Sequence, residues 1–263
     1  MRLAGFSAHL VPDGRIWPAG LVVWGPGMRS SPHAHHAMQI VLGLNGSLRA
    51  RESPARRWRR VGAIIVEPDA VHEVDCSVAG SVLIAFVEPE SGLGGAVLGR
   101  LRTPIAFVPD RVVDRWRRIL HAPSRISDAS VRRWFESAFR SGRPPRLDPR
   151  VARAVRMLRD RETLGRVSLR QIAASTDLSP SRFGHLFTES VGIPFRRYVL
   201  WLRLQRAAGA LLTGETIASA TYDAGFADAA HLSRTFRRMF GTSPSEIVDR
   251  QSTSRAIRVG RKP

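Results

Sequence analysis

The sequence predicts an α+β chain: a β-rich N-terminal half, an α-helical linker, and a C-terminal all-α domain with two helix–turn–helix motifs. Three observations predict it. Short apolar runs broken by turn dipeptides fill residues 1 to about 90. Amphipathic helical periodicity takes over from Asp110. One helix–turn–helix pattern is then written twice between Ser168 and Pro244.

Taken in order, Leu21–Trp24 is an apolar run ending at Gly25-Pro26-Gly27, and Gln39–Leu44 is a second, closed by the hairpin dipeptide Asn45-Gly46. Ser47–Arg51 alternates, Val61–Val66 is β-branched, and Ser81–Val87 reads as a buried strand. Short strands at regular spacing predict a small barrel or sandwich, ending at Glu88–Gly95. Asp110–His121 gathers Val112, Val113, Trp116, Ile119 and Leu120 on one helical face; Asp128–Arg140 gathers Val131, Trp134, Phe135 and Ala138. These two helices either form a dimerisation hairpin, the reading favoured here, or pack on their own β-domain. Ser141–Leu147 is rich in Pro and Gly and reads as a linker. Asp148-Pro149 opens a helix over Val151–Arg161.

The first motif copy spans Ser168–Pro194 and the second Thr216–Pro244. Each opens with a capping hydroxyl, Ser168 or Thr216, and Gln171 completes a capping box with Ser168. Each breaks at a turn and restarts with a cap, Ser179 before Pro180 or Asp228. Each ends on a glycine, Gly192 or Gly241. Two such copies joined by a helix of fitting length point to DNA binding rather than to ordinary helical hairpins.

Residues 147–247 resemble the DNA-binding domain of AraC/XylS-type transcription regulators. Phe195–Leu212 resembles the long helix that joins the two motifs in that family, and Ala224–Pro244 resembles its signature segment. Ala220-Thr221 departs from the family pattern, which usually has a larger aliphatic residue and then alanine; the change is expected to loosen packing locally. The resemblance implies a regulator whose N-terminal domain binds an effector. The domains follow as 1–92 effector domain, 93–146 helical dimerisation and linker region, 147–250 DNA-binding domain, and 251–263 a basic tail expected to be disordered.

Composition agrees with a polyanionic partner. The 263 residues carry a formal net charge of +19, and nearly every basic residue is arginine, Lys262 being the only lysine. Genome composition accounts for arginine in place of lysine but not for the excess over acids. Cys76 is the only cysteine, so no intrachain disulfide forms, and it reads as a small buried hydrophobe. The N-terminus lacks the apolar core of a signal peptide and no stretch spans a bilayer, so a cytoplasmic protein without a membrane partner is expected.

Inside the β-rich half, Gly27, His33, His35, Gln39 and Gly46 stand at spacings that resemble the first motif of the cupin barrel, with glutamine where metal-binding cupins usually have glutamate. Gly62, Pro68 and His72 resemble the second motif, one residue short. The resemblance implies a cupin-like β-barrel. His33 and His35 alternate on one strand and so face one way, and with His72 and the weaker ligand Gln39 they make a candidate divalent-metal site. The alternative is that they line a pocket for an organic effector or lie on the surface beside His36. No cofactor is otherwise required. Trp17, Trp24 and Trp58 are further pocket candidates, though nothing in the sequence assigns them there.

For DNA, the exposed start of the first recognition helix offers Ser181, Arg182, Gly184 and His185, of which Gly184 has only backbone to give. The second offers Asp228, Ala229, Ala230, His231, Ser233 and Arg234. Arg234 is the best single base reader, because its planar fork matches guanine O6 and N7. Arg196, Arg197, Arg203, Arg237 and Arg238 are assigned to phosphates. The expected function is a sequence-specific DNA-binding transcriptional regulator, not an enzyme, that senses a small molecule or metal, acts as a homodimer and meets RNA polymerase. The competing class is a metal-dependent cupin enzyme fused to a DNA-binding domain. Gln39 and the short second motif weigh against it.

Overall fold

Alternation of apolar residues builds the N-terminal half as two antiparallel sheets. The larger contains β1 (Ser7–Pro12), β2 (Pro18–Pro26), β8 (Ser81–Val87), β3 (Met38–Gly43), β6 (Ala63–Val66) and β9 (Ile105–Phe107), in that spatial order. The smaller runs β5 (Arg59–Val61), β4 (Leu48–Arg51), β7 (Glu73–Asp75). This is a computed structural model, and it describes residues 7–12, 18–121, 126, 128–139, 146–160, 164–165 and 167–249.

Both faces of the central strands are covered, which is why β3 reads as an unbroken buried run. One face carries Val22, Trp24, Ile40, Leu42, Leu83 and Ala85. Against it pack α2 (Asp110–His121) and α3 (Asp128–Ala138) through Val113, Trp116, Leu120, Val131, Trp134 and Phe135. Of the two expectations for these helices, a dimerisation hairpin or packing on their own β-domain, the second describes their apolar faces. Their apolar faces are buried on their own sheet, and Trp134 is fully buried. The expected end of the β-domain at 92 is corrected here. α1 (Gly92–Leu98) places Val97 in the same core, and β9 pairs with β6 through Ile64↔Phe107 and Val66↔Ile105. A three-residue strand is too short for alternation to announce it.

The opposite face is shared. Beside β4 and β7 it packs Val41, Ile64 and Val66 against Leu48, Ala50, Val74 and the buried Cys76. Gly27 belongs to this seam, since a side chain there would run into the Cys76 carbonyl. Further along, Leu21, Val23 and Phe86 are covered by the helical domain instead, through Trp201, Leu204, Ala208, Phe236 and Phe240.

The helical domain holds α4 (Pro149–Asp160), α5 (Leu169–Ala174), α6 (Pro180–Val191), α7 (Phe195–Thr213), α8 (Ile217–Asp223) and α9 (Ala229–Phe240). Its caps are those the sequence predicts. Ser168 and Gln171 form the capping box, Ser179 caps α6 with Pro180 in the first turn, and Thr216 and Asp228 cap α8 and α9. Gly192 and Gly241 end their helices in the left-handed conformation. Phe183 and Phe187 bury α6 against α4 and α7, while Leu232, Phe236 and Phe240 bury α9. Ala220 and Thr221 are both buried, and the Thr221 hydroxyl donates to the Ile217 carbonyl at 2.6 Å. Among the described residues no helix is long and apolar enough to cross a membrane. The expected linker over 141–147 lies largely outside the described residues, and Trp17 and the tail 251–263 lie wholly outside them.

Candidate nucleic-acid interface and histidine cluster

Burying the apolar stripes of α6 and α9 leaves their N-terminal polar faces outward. Ser181, Arg182 and His185 are exposed on α6 and Gly184 is half-buried. On the second helix Asp228, Ala229, Ala230 and Arg234 are exposed, with His231 and Ser233 half-buried. His231 lies edge-on to Phe226 at 5.2 Å, which fixes its ring beside the turn. Arg196, Arg197, Arg237 and Arg238 are exposed. Arg203 is different. Its guanidinium donates to the Leu164 carbonyl at 3.2 and 2.7 Å and to that of Gly165 at 3.3 Å. Those bonds tie α7 to the turn before α5, so Arg203 leaves the phosphate set. Nothing in its spacing set it apart from the other arginines of α7.

His33, His35 and His72 come together, each nearly or fully buried, with one ring nitrogen from each within 4.8 Å of the others. The two chain segments meet because His33 and His72 pair by backbone, at 3.0 and 2.9 Å. In each ring Nδ1 faces a backbone carbonyl: Ser31 at 2.8 Å, Ala37 at 2.8 Å and Ala70 at 2.9 Å. A carbonyl only accepts, so each Nδ1 carries the proton and each Nε2 is a bare lone pair. The Nε2 atoms of His35 and His72 face the Gln39 amide, the former at 3.2 Å from its oxygen. Burial, with the neighbouring His35 second, holds His33 down to about 3, and burial holds His35 down to about 4. Burial pushes His72 well below the usual range. The rings are therefore neutral near pH 7, the state that ligates. Three bare imidazole nitrogens and an amide oxygen fit a borderline transition metal and lack the carboxylates that magnesium or calcium need.

This cluster lies under the helical domain. His35 stacks on Trp201 with ring centroids 5.7 Å apart and planes at 26°. Beside it an apolar cavity of about 90 Å³ runs between the domains, lined among others by His33, Gln39, Phe86, Leu212 and Phe240. Trp24 is buried on the other face of the sheet, and Trp58 lies under Arg29, Arg49 and Arg51 at 4.6–5.7 Å. Neither tryptophan lines the cavity. Cys76 does, but burial pushes its thiol up to about 12, so it stays an inert thiol.

A polar seam flanks the apolar one. Arg159 of α4 pairs with Glu88 at 2.9 Å and Glu90 at 3.2 Å. Tyr198 donates to Glu90 at 2.6 Å, the Trp201 indole donates to Glu88 at 3.2 Å, and Gln205 donates to Glu88. Burial raises Glu88, whereas His36 and Arg159 overcome the burial of Glu90 and hold it down at about 2. His36 stands 3.6 Å from Glu90 and 3.7 Å from Asp69, at ion-pair rather than hydrogen-bond distance. Glu88 and Glu90 ride on the Glu88-Pro89-Glu90 turn, which reads in sequence only as the end of a strand. Two acids closing an apolar run were the signal available.

A β-domain carrying a buried donor cluster is joined to paired helices with outward polar faces, the layout of a helix–turn–helix unit. Known proteins resemble part of the chain. The helix-turn-helix domain family matches residues 172–250. The arabinose operon regulatory protein of Escherichia coli K12 is 34% identical over 119 residues, 44% of this chain and 39% of that protein. The transcriptional activator RhrA of Rhizobium meliloti 1021 is 34% identical over 86 residues, 32% of this chain and 27% of its own. The chain thus spans well under half the length of these relatives. Apo ToxT from Vibrio cholerae strain SCE256 superposes on 89% of this chain and 98% of its own with a TM-score of 0.59 at 13% identity, a likeness of fold. Residues 172–250 carry a helix-turn-helix domain, and part of the chain is similar to these transcription regulators.

Proposed function

We infer that the chain is a sequence-specific, effector-responsive transcription regulator in which α5–α6 and α8–α9 act as two helix–turn–helix motifs and the N-terminal sheets act as a cupin-like sensing barrel. The observation that carries the reading is the shared layout of α6 and α9. Each is capped, buries an aromatic stripe and turns an N-terminal face with polar side chains, Ser181, Arg182 and His185 on α6 and Arg234 on α9, to solvent. α6 would enter one major groove with Ser181, Arg182 and His185, and α9 the next with His231, Ser233 and Arg234. Arg196, Arg197, Arg237 and Arg238 would hold phosphates.

The sensing half rests on the interdomain cluster and cavity. ToxT has been solved with an unsaturated fatty acid bound. In this chain a small molecule in the apolar cavity, or a metal on the adjoining histidines, would touch both domains at once. Such a ligand shifts DNA binding only by as much as its affinity differs between the two docking states. The relatives named are regulators, which supports a non-enzymatic role. Homodimerisation, contact with RNA polymerase and a cytoplasmic location complete the proposal.

Selection of the full chain against a random DNA library tests it. A single enriched motif, bound with an affinity that falls steeply with salt, is expected. Recovery of unenriched DNA would overturn sequence-specific reading.

A further inference from the structure

A second cavity lies between the two domains, and its chemistry differs from that of the apolar one. It holds about 520 Å³ and shares only His33 with its neighbour. Its polar walls are His36 and Asp69 from two loops of the β-domain, Arg197 from the first turn of α7 and Arg238 from the last turn of α9. Ile193 and Met239 are among its apolar walls.

Two of these side chains carry a permanent positive charge. Among the described residues, neither the Arg197 nor the Arg238 guanidinium donates a hydrogen bond or closes an ion pair. Other arginines of the same domain are satisfied: Arg159 pairs with Glu88 and Glu90, and Arg203 holds the Leu164 carbonyl. One unpaired arginine on a helix is ordinary, because water solvates it. Two that converge from different helices on one cavity focus a positive field inside it and draw in anions.

A third wall residue is buried and short of partners. Both ring nitrogens of His36 lack a hydrogen-bond partner, as does Oε2 of Glu90. The facing carboxylate oxygens of Asp69 and Glu90 stand 3.7 and 3.6 Å from the ring. An imidazole keeps at least one N–H in either protonation state, so His36 has a donor to give. Asp69 holds a left-handed φ of 59°, and its backbone N–H donates to the His35 carbonyl at 2.8 Å. That turn fixes its half-exposed carboxylate beside the cavity, where it accepts from a hydroxyl group and repels a second anionic one.

We propose that this cavity binds a small hydroxylated organic anion, its phosphate or carboxylate group held between Arg197 and Arg238 with His36 donating to it, and that the bound anion displaces DNA phosphate from those two arginines. The second half of the proposal rests on the regulator reading and names a class of effector for it. A guanidinium fork takes either oxyanion through paired N–H bonds, so both groups fit. Arg197 and Arg238 cannot serve the anion and the DNA backbone at once, so this ligand is a negative effector.

The test is calorimetric titration of the full chain at fixed ionic strength with glycerol 3-phosphate and with glycerate, glycerol being the uncharged control. Saturable binding of either anion at one per chain is expected, and none of glycerol; the tighter anion tells phosphate from carboxylate. Arg197→Gln with Arg238→Gln should weaken binding at least ~10-fold. Arg196→Gln with Arg237→Gln removes the same charge from the same helices outside the cavity, and should leave binding unchanged. All four arginines are exposed, so neither pair of substitutions should lose the fold. Equal weakening by both pairs, or binding of neither anion, would overturn the site. The anion should lower DNA affinity in the parent and in the Arg196/Arg237 variant but not in the Arg197/Arg238 variant. Anion bound with DNA affinity unchanged would overturn the competition. DNA binding by a protein that takes no anion sinks the site and leaves the regulator standing, whereas anion binding by a protein that binds no DNA does the reverse.

Discussion

Ser31 donates both its backbone N–H and its hydroxyl to the carbonyl of Gly241, tying the histidine loop of the β-domain to the end of α9. The residues are 210 positions apart. Around this contact the domain seam is mostly apolar. Each buried Leu, Phe or Trp there contributes roughly 1.5–3 kcal/mol, so burial holds the domains together. The polar contacts set where they sit, since a paired buried charge adds little net stability beyond its own desolvation cost.

Gly241 therefore has two reasons to be glycine. Its φ is 68°, and a side chain there would strike the Ser31 carbonyl. Gly192 has φ 90° with open space around it, so it has only the first reason. Gly192→Ala should cost about 1–3 kcal/mol by backbone strain. Gly241→Ala should cost clearly more, and urea denaturation of the two variants side by side measures the difference.

Arg159 is the cation shared by Glu88 and Glu90. Arg159→Leu strands two buried carboxylates and should lose roughly 3–5 kcal/mol. Restoring stability by adding Glu88→Gln and Glu90→Gln to it, measured by thermal unfolding, would show that the stranded charge is the cause.

Trp134 is fully buried between α3 and the sheet, edge-on to Trp116 at 5.6 Å. Trp134→Ala should cost about 3–5 kcal/mol in the monomer. Light scattering at fixed concentration should give the same mass for variant and parent, because this face packs inward.

On α9, Arg234→Ala should weaken DNA binding by about 1–3 kcal/mol and relax preference at one base pair. Competition with operators altered one position at a time measures both. A uniform loss over all sequences would make Arg234 a phosphate contact.

Local signals carried the helical domain. Ser168, Ser179, Thr216 and Asp228 cap where a hydroxyl or carboxylate precedes an apolar run, and Gly192 and Gly241 terminate. The same locality made α2 legible from Asp110 to His121. The convergence of His33, His35 and His72 was legible only through the resemblance of their spacing, since their meeting depends on a bridge between distant segments. Wholly long-range features were silent. Glu88 finds Gln205 across 117 residues, β9 pairs as three residues, and the apolar faces of α2 and α3 do not state which surface they bury against. Arg203 looked like its neighbours because carbonyl partners leave no mark in sequence.

The central claim is that α6 and α9 read DNA together. Hydroxyl-radical footprinting of the full chain on its selected site tests it most directly. The account predicts two protected patches on one face of the duplex, about 34 Å apart, with the second lost selectively in Arg234→Ala. A single patch, or protection unchanged by substitutions in both helices, would contradict it.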